Sequence, residues 1–323
     1  MKQFFFFFFL LAIIPNENIF SWGFWAHKKI NHMAVFTLPP DMLGFYKKNI
    51  DFITEHAVDP DKRRNVMVEE APRHYFDTDH YGSNAFDSVP KFWKDAVAKY
   101  GEDYLELYGI VPWYIIKITY MLTDAFVKKD TYKILKYSAD LGHYVADAHV
   151  PLHTTENYNG QLTDQVGIHG FWESRLPELY GDQYDYFTGR AYFIEHTQSE
   201  AWGIIKESFS ALDSVLSFEK RLSEIFPSDK KFSFEERGNV NQRVYSRAYC
   251  AKYNEMLNGM VERRMRLAVQ RAGSFWYTAW VNAGSPSIES LELRKLSKQE
   301  TDSLKMLEKL WETGKLKSKG HED

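Results

Sequence analysis

An all-α fold, folded as one multi-helix domain, is what this sequence predicts. Three observations point there. Apolar residues recur at helical spacing over most of the chain after residue 21. No stretch alternates apolar and polar residues as a half-buried strand does. No internal repeat or low-complexity tract divides the chain after its first residues. The 323 residues are 44% hydrophobic and 26% charged, an ordinary globular balance. The aromatic share of 16% favours large buried cores. A net charge of −4 gives no polybasic reason to invoke duplex DNA. Eleven histidines stand against a single cysteine, Cys250. That excludes an internal disulfide framework and any cysteine-rich zinc finger. A bound metal must then be held by imidazoles and carboxylates.

Residues 1–21 read as a signal peptide. Lys2 gives a positive start, and Phe4 to Ile14 is an apolar run too short to span a bilayer comfortably. Polar residues 16–18 and Ser21 follow, so cleavage is expected between Ser21 and Trp22, with export of a chain of 302 residues. Residues 22–293 form the expected domain. Trp25 to Tyr46 has helical spacing, interrupted at Pro39–Pro40. Residues 47–88 show little periodicity and read as a long loop. Pro90 to Tyr108 resumes helical character, and Pro112 to Val127 is a helix with proline suited to its first turn. Asp130 to His149 follows as a helix ended by Pro151. Residues 154–168 are polar loop, His169 to Leu176 starts a helix, and 190–226 carries further helical pattern. Asn239 to Ala272 reads as one uninterrupted helix continuing through residues 273–284. Cys250 falls within it and is expected to be buried and inert. Arg263, Arg264 and Arg266 read as a solvated face. Residues 294–323 are a charged helix and frayed tail.

The segment LGHYVADAHVPLH, residues 141–153, carries the strongest chemical signal. His143 and Asp147 are four apart and share one helix face. Pro151 ends the helix and lets His153 turn to a neighbouring position. A second such pair, His169 and Glu173, follows in HGFWES. These two pairs with His153 between them can hold two adjacent metals. Imidazole and carboxylate without thiolate suit catalytic zinc. His149 lies about 200° around the helix from Asp147 and reads as a bystander. A third cluster, PRHYFDTDHY, contains His74 and Asp77, with Asp59 and Asp61 upstream in AVDPDKRR. A fourth, WGFWAHKKIN, opens at the expected mature terminus. There the free amino group and carbonyl oxygen of Trp22 can chelate a metal that His27 completes.

Together these pieces, from Trp22 to Glu173, resemble the superfamily that joins bacterial zinc-dependent phospholipase C with the zinc-dependent single-strand nucleases of fungi and plants. The resemblance implies an all-α domain enclosing a trinuclear zinc site. It implies that Trp22 and His27 hold one zinc, that Asp59, His74 and His143 hold a second, and that Asp147 bridges the two. His153, His169 and Glu173 hold the third. Asp61 competes with Asp59 for its role. Asp140 is a candidate partner for the outer nitrogen of His143.

The implied chemistry is hydrolysis of a phosphate ester by a zinc-bridged hydroxide, with Asp147 and Asp59 in the catalytic set. The third zinc would stabilise the leaving oxygen. Glu173 and the form of HYFDTD resemble the phospholipase branch. WG followed closely by His27, together with DAHVPLH, resembles the nuclease branch. That branch holds a base with an aromatic and an acid, for which Tyr75 and Asp77 are the candidates. Its Gly-Gly-Asn stretch is absent; only Asn157, Asn159 and Gly160 stand there. Tyr144, Tyr158, Phe171 and Trp172 line a pocket or fill the core, and core is the expectation for Trp172. The leading expectation is a phospholipase C-like phosphodiesterase acting on a phospholipid headgroup, with peripheral membrane contact. The alternative is a nuclease or 3′-nucleotidase acting on single-stranded nucleic acid. A secreted helical binding protein with structural metals is the reading outside enzymology. No stable protein partner is expected.

Overall fold

The computed structural model describes residues 23–64, 66–237 and 240–313. The expected signal peptide and Trp22 lie outside them, as do residues 314–323 of the expected tail. The architecture is all-α, as the periodicity predicts. Its main helices are α1 (Phe24–Val35), α2 (Pro40–Lys48), α3 (Ile50–Glu55), α4 (Asp59–Arg64), α5 (Trp93–Tyr100), α6 (Glu102–Leu107), α7 (Val111–Val127) and α8 (Thr131–Ala148). Then come α9 (Thr197–Ile225), α10 (Arg247–Leu257), α11 (Met260–Asn282) and α12 (Lys298–Thr313). A short helical segment, Ile168 to Tyr180, includes a π-helical turn at Phe171–Arg175. Among the described residues no helix is long and apolar enough to cross a membrane.

Local chemistry sets several of these boundaries. Pro112 occupies the first turn of α7, where its missing N–H costs nothing. The Asp130 carboxylate caps α8 by accepting from the Lys133 backbone N–H at 3.2 Å. Ser246 caps α10 in the same way through the Tyr249 N–H. Asn258 and Gly259, at φ of 47° and 72°, break the chain between α10 and α11.

Three expectations are corrected here. Residues 47–88 are not a long loop. They form α3, α4 and short helical turns at Ala71–Arg73, Thr78–Tyr81 and Ala85–Ser88. Elements of one or two turns are too brief to leave a periodic signal. The continuous helix expected from Asn239 is three elements. Its start lies in an antiparallel hairpin, β1 (Phe232–Arg237) with β2 (Val240–Tyr245), and the αL pair at 258–259 splits the rest. The hairpin is held from outside its own sequence. Tyr245 stacks on Phe171 at 3.9 Å, and Arg175 pairs with Glu235. Finally, Arg264 is not on a solvated face but 6% exposed, bound to the His149 carbonyl at 2.9 Å. Cys250 and Trp172 are buried, as expected.

Two apolar cores form. One gathers Phe45, Phe76, Trp113, Phe126, Tyr144 and Trp276, and the other Ile30, Ala146, Phe171, Trp172, Tyr253 and Met265. Helices α1, α8 and α11 contribute side chains to both. The junction of α1 with α8 is unusually close. A Cβ on Gly142 would stand 2.0 Å from Asn31 Oδ1. Asn31 in turn donates to the Ala139 carbonyl at 3.0 Å, so its position is fixed.

Gly142→Ala is therefore expected to destabilise the protein by about 1–3 kcal/mol through overpacking. Gly203, inside α9, has nothing within 4 Å of the place of a Cβ. Gly203→Ala should stabilise by about 0.5–1 kcal/mol. Thermal unfolding of both variants checks the pair; a Gly142→Ala protein as stable as wild type would mean that α1 and α8 part freely.

Candidate metal centre

Six chain segments converge where α1 crosses α8. α1 supplies His27, α4 supplies Asp61, and the chain after the Ala71–Arg73 turn supplies His74. α8 supplies His143 and Asp147, one turn apart. Pro151 ends that helix in a short 3-10 turn that delivers His153, and the helical segment from Ile168 delivers His169 and Glu173. All eight are buried, at 3% exposure or less.

Their donor atoms meet in three groups that can hold metal ions: His27, Asp61 and His143; His74, His143 and Asp147; and His153, His169 and Glu173. Within each group the atoms lie within 4.8 Å of one another. Asp147 joins the first two. Its Oδ2 lies 2.8 Å from His74 Nδ1 and 3.1 Å from His143 Nε2, and its Oδ1 lies 3.4 Å from His27 Nε2. In the third, Glu173 Oε2 lies 3.2 Å from His169 Nε2 and 3.4 Å from His153 Nε2. Donors at 2.0–2.1 Å from a tetrahedral ion are spaced by about 3.3 Å, so these separations suit a shared cation. The groups are contiguous: His153 Nδ1 is 3.8 Å from Asp147 Oδ1.

The outer ring nitrogens are fixed by backbone. His143 Nδ1 donates to the Ala57 carbonyl and His153 Nδ1 to the His74 carbonyl, each at 2.8 Å. That tautomer leaves both Nε2 lone pairs facing inward. Asp140, expected to serve His143, does not. It pairs with Arg63 at 3.2 Å and Lys136 at 2.6 Å, and although burial would raise its carboxyl, these cations hold it down to about 2.

The centre is short of positive charge as it stands. His27 Nδ1 and Nε2 and both Glu173 oxygens are sealed from solvent without a well-directed hydrogen bond. Burial lowers His27, helped by neighbouring His143, and lowers His74 to about 4. Burial would push Asp147 and Glu173 up, but the imidazoles around them reverse this. They hold Asp147 well below the usual carboxylate range and Glu173 at about 2. Burial raises Asp61 well above that range. Imidazoles around buried carboxylates are the donor set a divalent cation requires, and this one contains no thiolate.

Three expected site residues stand elsewhere. Asp59 is not in the cluster. It pairs with His56 at 2.6 Å on the surface, and Asp61 takes the inward place. Two residues along a helix is about 200°, so only one of the two can face inward. Tyr75 is 1% exposed, with its hydroxyl donating to the Leu107 carbonyl, and so presents no open stacking face. Asp77 is buried beyond the clusters. Burial, then Asp79 and Glu156, pushes its carboxyl up to about 9. Trp22 lies outside the described residues. Gly23 just after it donates to Ser174 Oγ at 3.0 Å, which ties the start of α1 to the residue after Glu173.

Two buried groups carried no clear motif. Arg64 is 8% exposed and sets its charge against both Asp61 and Tyr75. Its signal was the three-residue spacing from Asp61, which places both on one helix face. Glu70, fully buried, accepts from Arg73 at 2.6 Å, from Arg63 at 3.2 Å and from the Tyr144 hydroxyl, and its Oε1 lies 3.8 Å from His74 Nε2. Nothing in the sequence marks it.

Because His143 belongs to two groups, His143→Ala is expected to lose more bound metal than Glu173→Ala, as read by elemental analysis of the purified proteins. Equal losses would contradict the shared role. The metal-free protein should be most stable near pH 6.5. Below that pH the unfolded chain protonates His27, His74 and His149, which the folded state keeps neutral, and stability falls. Above it, Asp61 and Asp77 hold protons in the folded state that the unfolded chain has released, and stability falls again. Urea unfolding of chelator-treated protein at pH 5, 6.5 and 8 reads this directly (these are about the limits of interest). A monotonic trend would contradict it. No protein-family model matches the chain and no curated protein is significantly similar to it, so its reading rests on this chemistry.

Proposed function

We propose that the chain is an exported zinc-dependent hydrolase of phosphate ester bonds, similar to phospholipase C, and a member of the superfamily its motifs resemble. The observation that carries this reading is the contiguity of the three donor groups around Asp147. A single structural ion needs one closed set of four ligands; three adjoining sets, two of which share His143, suit a catalytic cluster better. Bound zinc ions supply neutralisation of the phosphate charge and a water acidic enough to react near neutral pH.

The chain's own residues then have separate tasks. Asp147 holds the first two groups in register. His153, His169 and Glu173 form the third beside it. Asp61, rather than Asp59, contributes the α4 carboxylate. Arg64 adds a fixed cation next to Asp61, suited to an anionic phosphate oxygen. In this reading the processed amino terminus at Trp22 joins His27, in keeping with the anchoring of Gly23 at Ser174. The closed Tyr75 ring favours the phospholipase-like member over one that stacks a base on that ring.

The purified zinc-loaded chain is expected to hydrolyse bis(p-nitrophenyl) phosphate, and Asp147→Ala to abolish this while Asp59→Asn retains it. Full activity in Asp147→Ala would sink the site. A panel of phosphatidylcholine, single-stranded DNA, RNA and 3′-nucleotides sorts the substrates, with phosphatidylcholine expected to be turned over fastest. Turnover of the nucleic acids alone would move the chain to the nuclease branch. Metal bound without turnover of any substrate would leave the helical binding protein.

A further inference from the structure

A cavity of about 660 Å³ opens between α5, α6 and α7. That volume is typical of small-molecule sites. Its walls are chiefly Phe92, Trp93, Trp113, Tyr114, Ile116 and Tyr120. None of the eight metal-facing residues lines it, so it is a separate site and independent of the phosphodiesterase reading. Phe92 and Tyr120, which both line it, are more than half exposed, at 61% and 62%, so the cavity opens to solvent past large apolar rings.

The charges around the cavity are unevenly engaged. Arg73 donates to Glu70 at 2.6 Å and lies 4.6 Å over the Tyr114 ring. Lys91 donates to the Phe86 carbonyl and lies 4.0 Å over Trp202. Arg73 is thus paired with a carboxylate, whereas Lys91 is held by a carbonyl and a ring face and keeps its charge. Lys117 faces Tyr114 at 5.6 Å. Against it stand Glu69, Glu102 and Glu106, and among the described residues none of these carboxylates makes an ion pair or a side-chain hydrogen bond. Glu102 and Glu106 are four apart on α6 and project from one side of the helix. With Arg73 paired to Glu70, Lys91 and Lys117 stand against three carboxylates, so the mouth keeps one negative charge in excess, over walls of aromatic rings whose faces attract cations.

We propose that this cavity binds an organic cation with an apolar body, the body lying against the rings and the ammonium head held by Glu102 and Glu106. Neutral and anionic molecules of the same shape gain the apolar contact alone, and anions meet the carboxylates besides.

Isothermal titration of the full zinc-loaded chain tests this with decyltrimethylammonium, decyl maltoside and decyl sulfate, each below its micellar concentration. The cation is expected to saturate one site per chain and to bind about tenfold more tightly than the other two. The double variant Glu102→Gln, Glu106→Gln, whose changes lie on the outer part of α6, should weaken the cation about fivefold and leave the maltoside unchanged. Equal affinity for all three heads overturns the proposal. So does an absence of saturable binding, or a double variant that holds the cation as wild type does.

Discussion

A single buried carboxylate sets the terms for the rest of the molecule. Asp147 has no exposure to solvent, yet it stays ionised because three imidazoles surround it at 2.8–3.4 Å. An isolated charge at such depth would neutralise itself by taking up a proton. Here burial keeps two of the neighbours, His27 and His74, short of protons, so the cluster has attraction without enough positive charge to settle it. That deficit is what a bound cation would relieve, and the three donor groups can hold one. It also gives a reason for the rigidity of the two helices that supply His27, His143 and Asp147: a loose junction would let water in, whereas α1 and α8 are locked by the contact of Gly142 with Asn31.

The supporting bonds follow the same logic. His143 and His153 each give an outer N–H to a backbone carbonyl, from Ala57 and from His74. A carbonyl oxygen cannot swing away as a side chain can, so it fixes ring and tautomer together. The end of α8 is held more heavily. Arg264 donates to the His149 carbonyl, and Ser208 donates to the Ala148 carbonyl. Arg271 grips Glu207 with both terminal nitrogens and reaches His149 Nε2 at 3.2 Å. Burial, then Arg271, lowers Arg264 to about 10, a cost accepted to keep the helix end in place. The residues so clamped lie between Asp147 and His153. His149 is therefore more than a bystander: it does not face the metals, but it holds the turn that aims His153.

This division explains what the sequence could and could not reveal. The pairs His143–Asp147 and His169–Glu173 were legible because four-residue spacing forces both side chains to one face, whatever surrounds the helix. His153 was legible because Pro151 must end α8. Asp61 could not be told from Asp59, since the phase of a helix of six residues is set by its packing and not by its own pattern. The partner of His143 was hidden for another reason: a backbone carbonyl from Ala57 leaves no mark in residue identity. The hairpin was missed because it is held by Phe171 and Arg175, which lie 74 and 60 residues before their partners Tyr245 and Glu235.

The same contrast bears on substrate. Residues that would face a metal ion must keep the spacing its geometry demands, and the motifs read from the sequence concentrate there. Groups that meet the organic part of a substrate face no such constraint. Tyr75 follows His74 directly and looks available in one dimension, but the backbone of that segment bonds to its surroundings: the Tyr75 carbonyl accepts from Val111, Phe76 donates to the His153 carbonyl, and Asp77 donates to the Tyr108 carbonyl. These bonds turn the Tyr75 ring into the wall. A Cβ on Gly109 would stand 2.2 Å from the Tyr75 oxygen, and Gly109 has φ of 91°, so the wall closes only because glycine stands there. What lies beside the donor groups is then decided by a residue more than thirty positions from any of them, and under the proposed function this packing would suit a substrate head that needs no stacking partner.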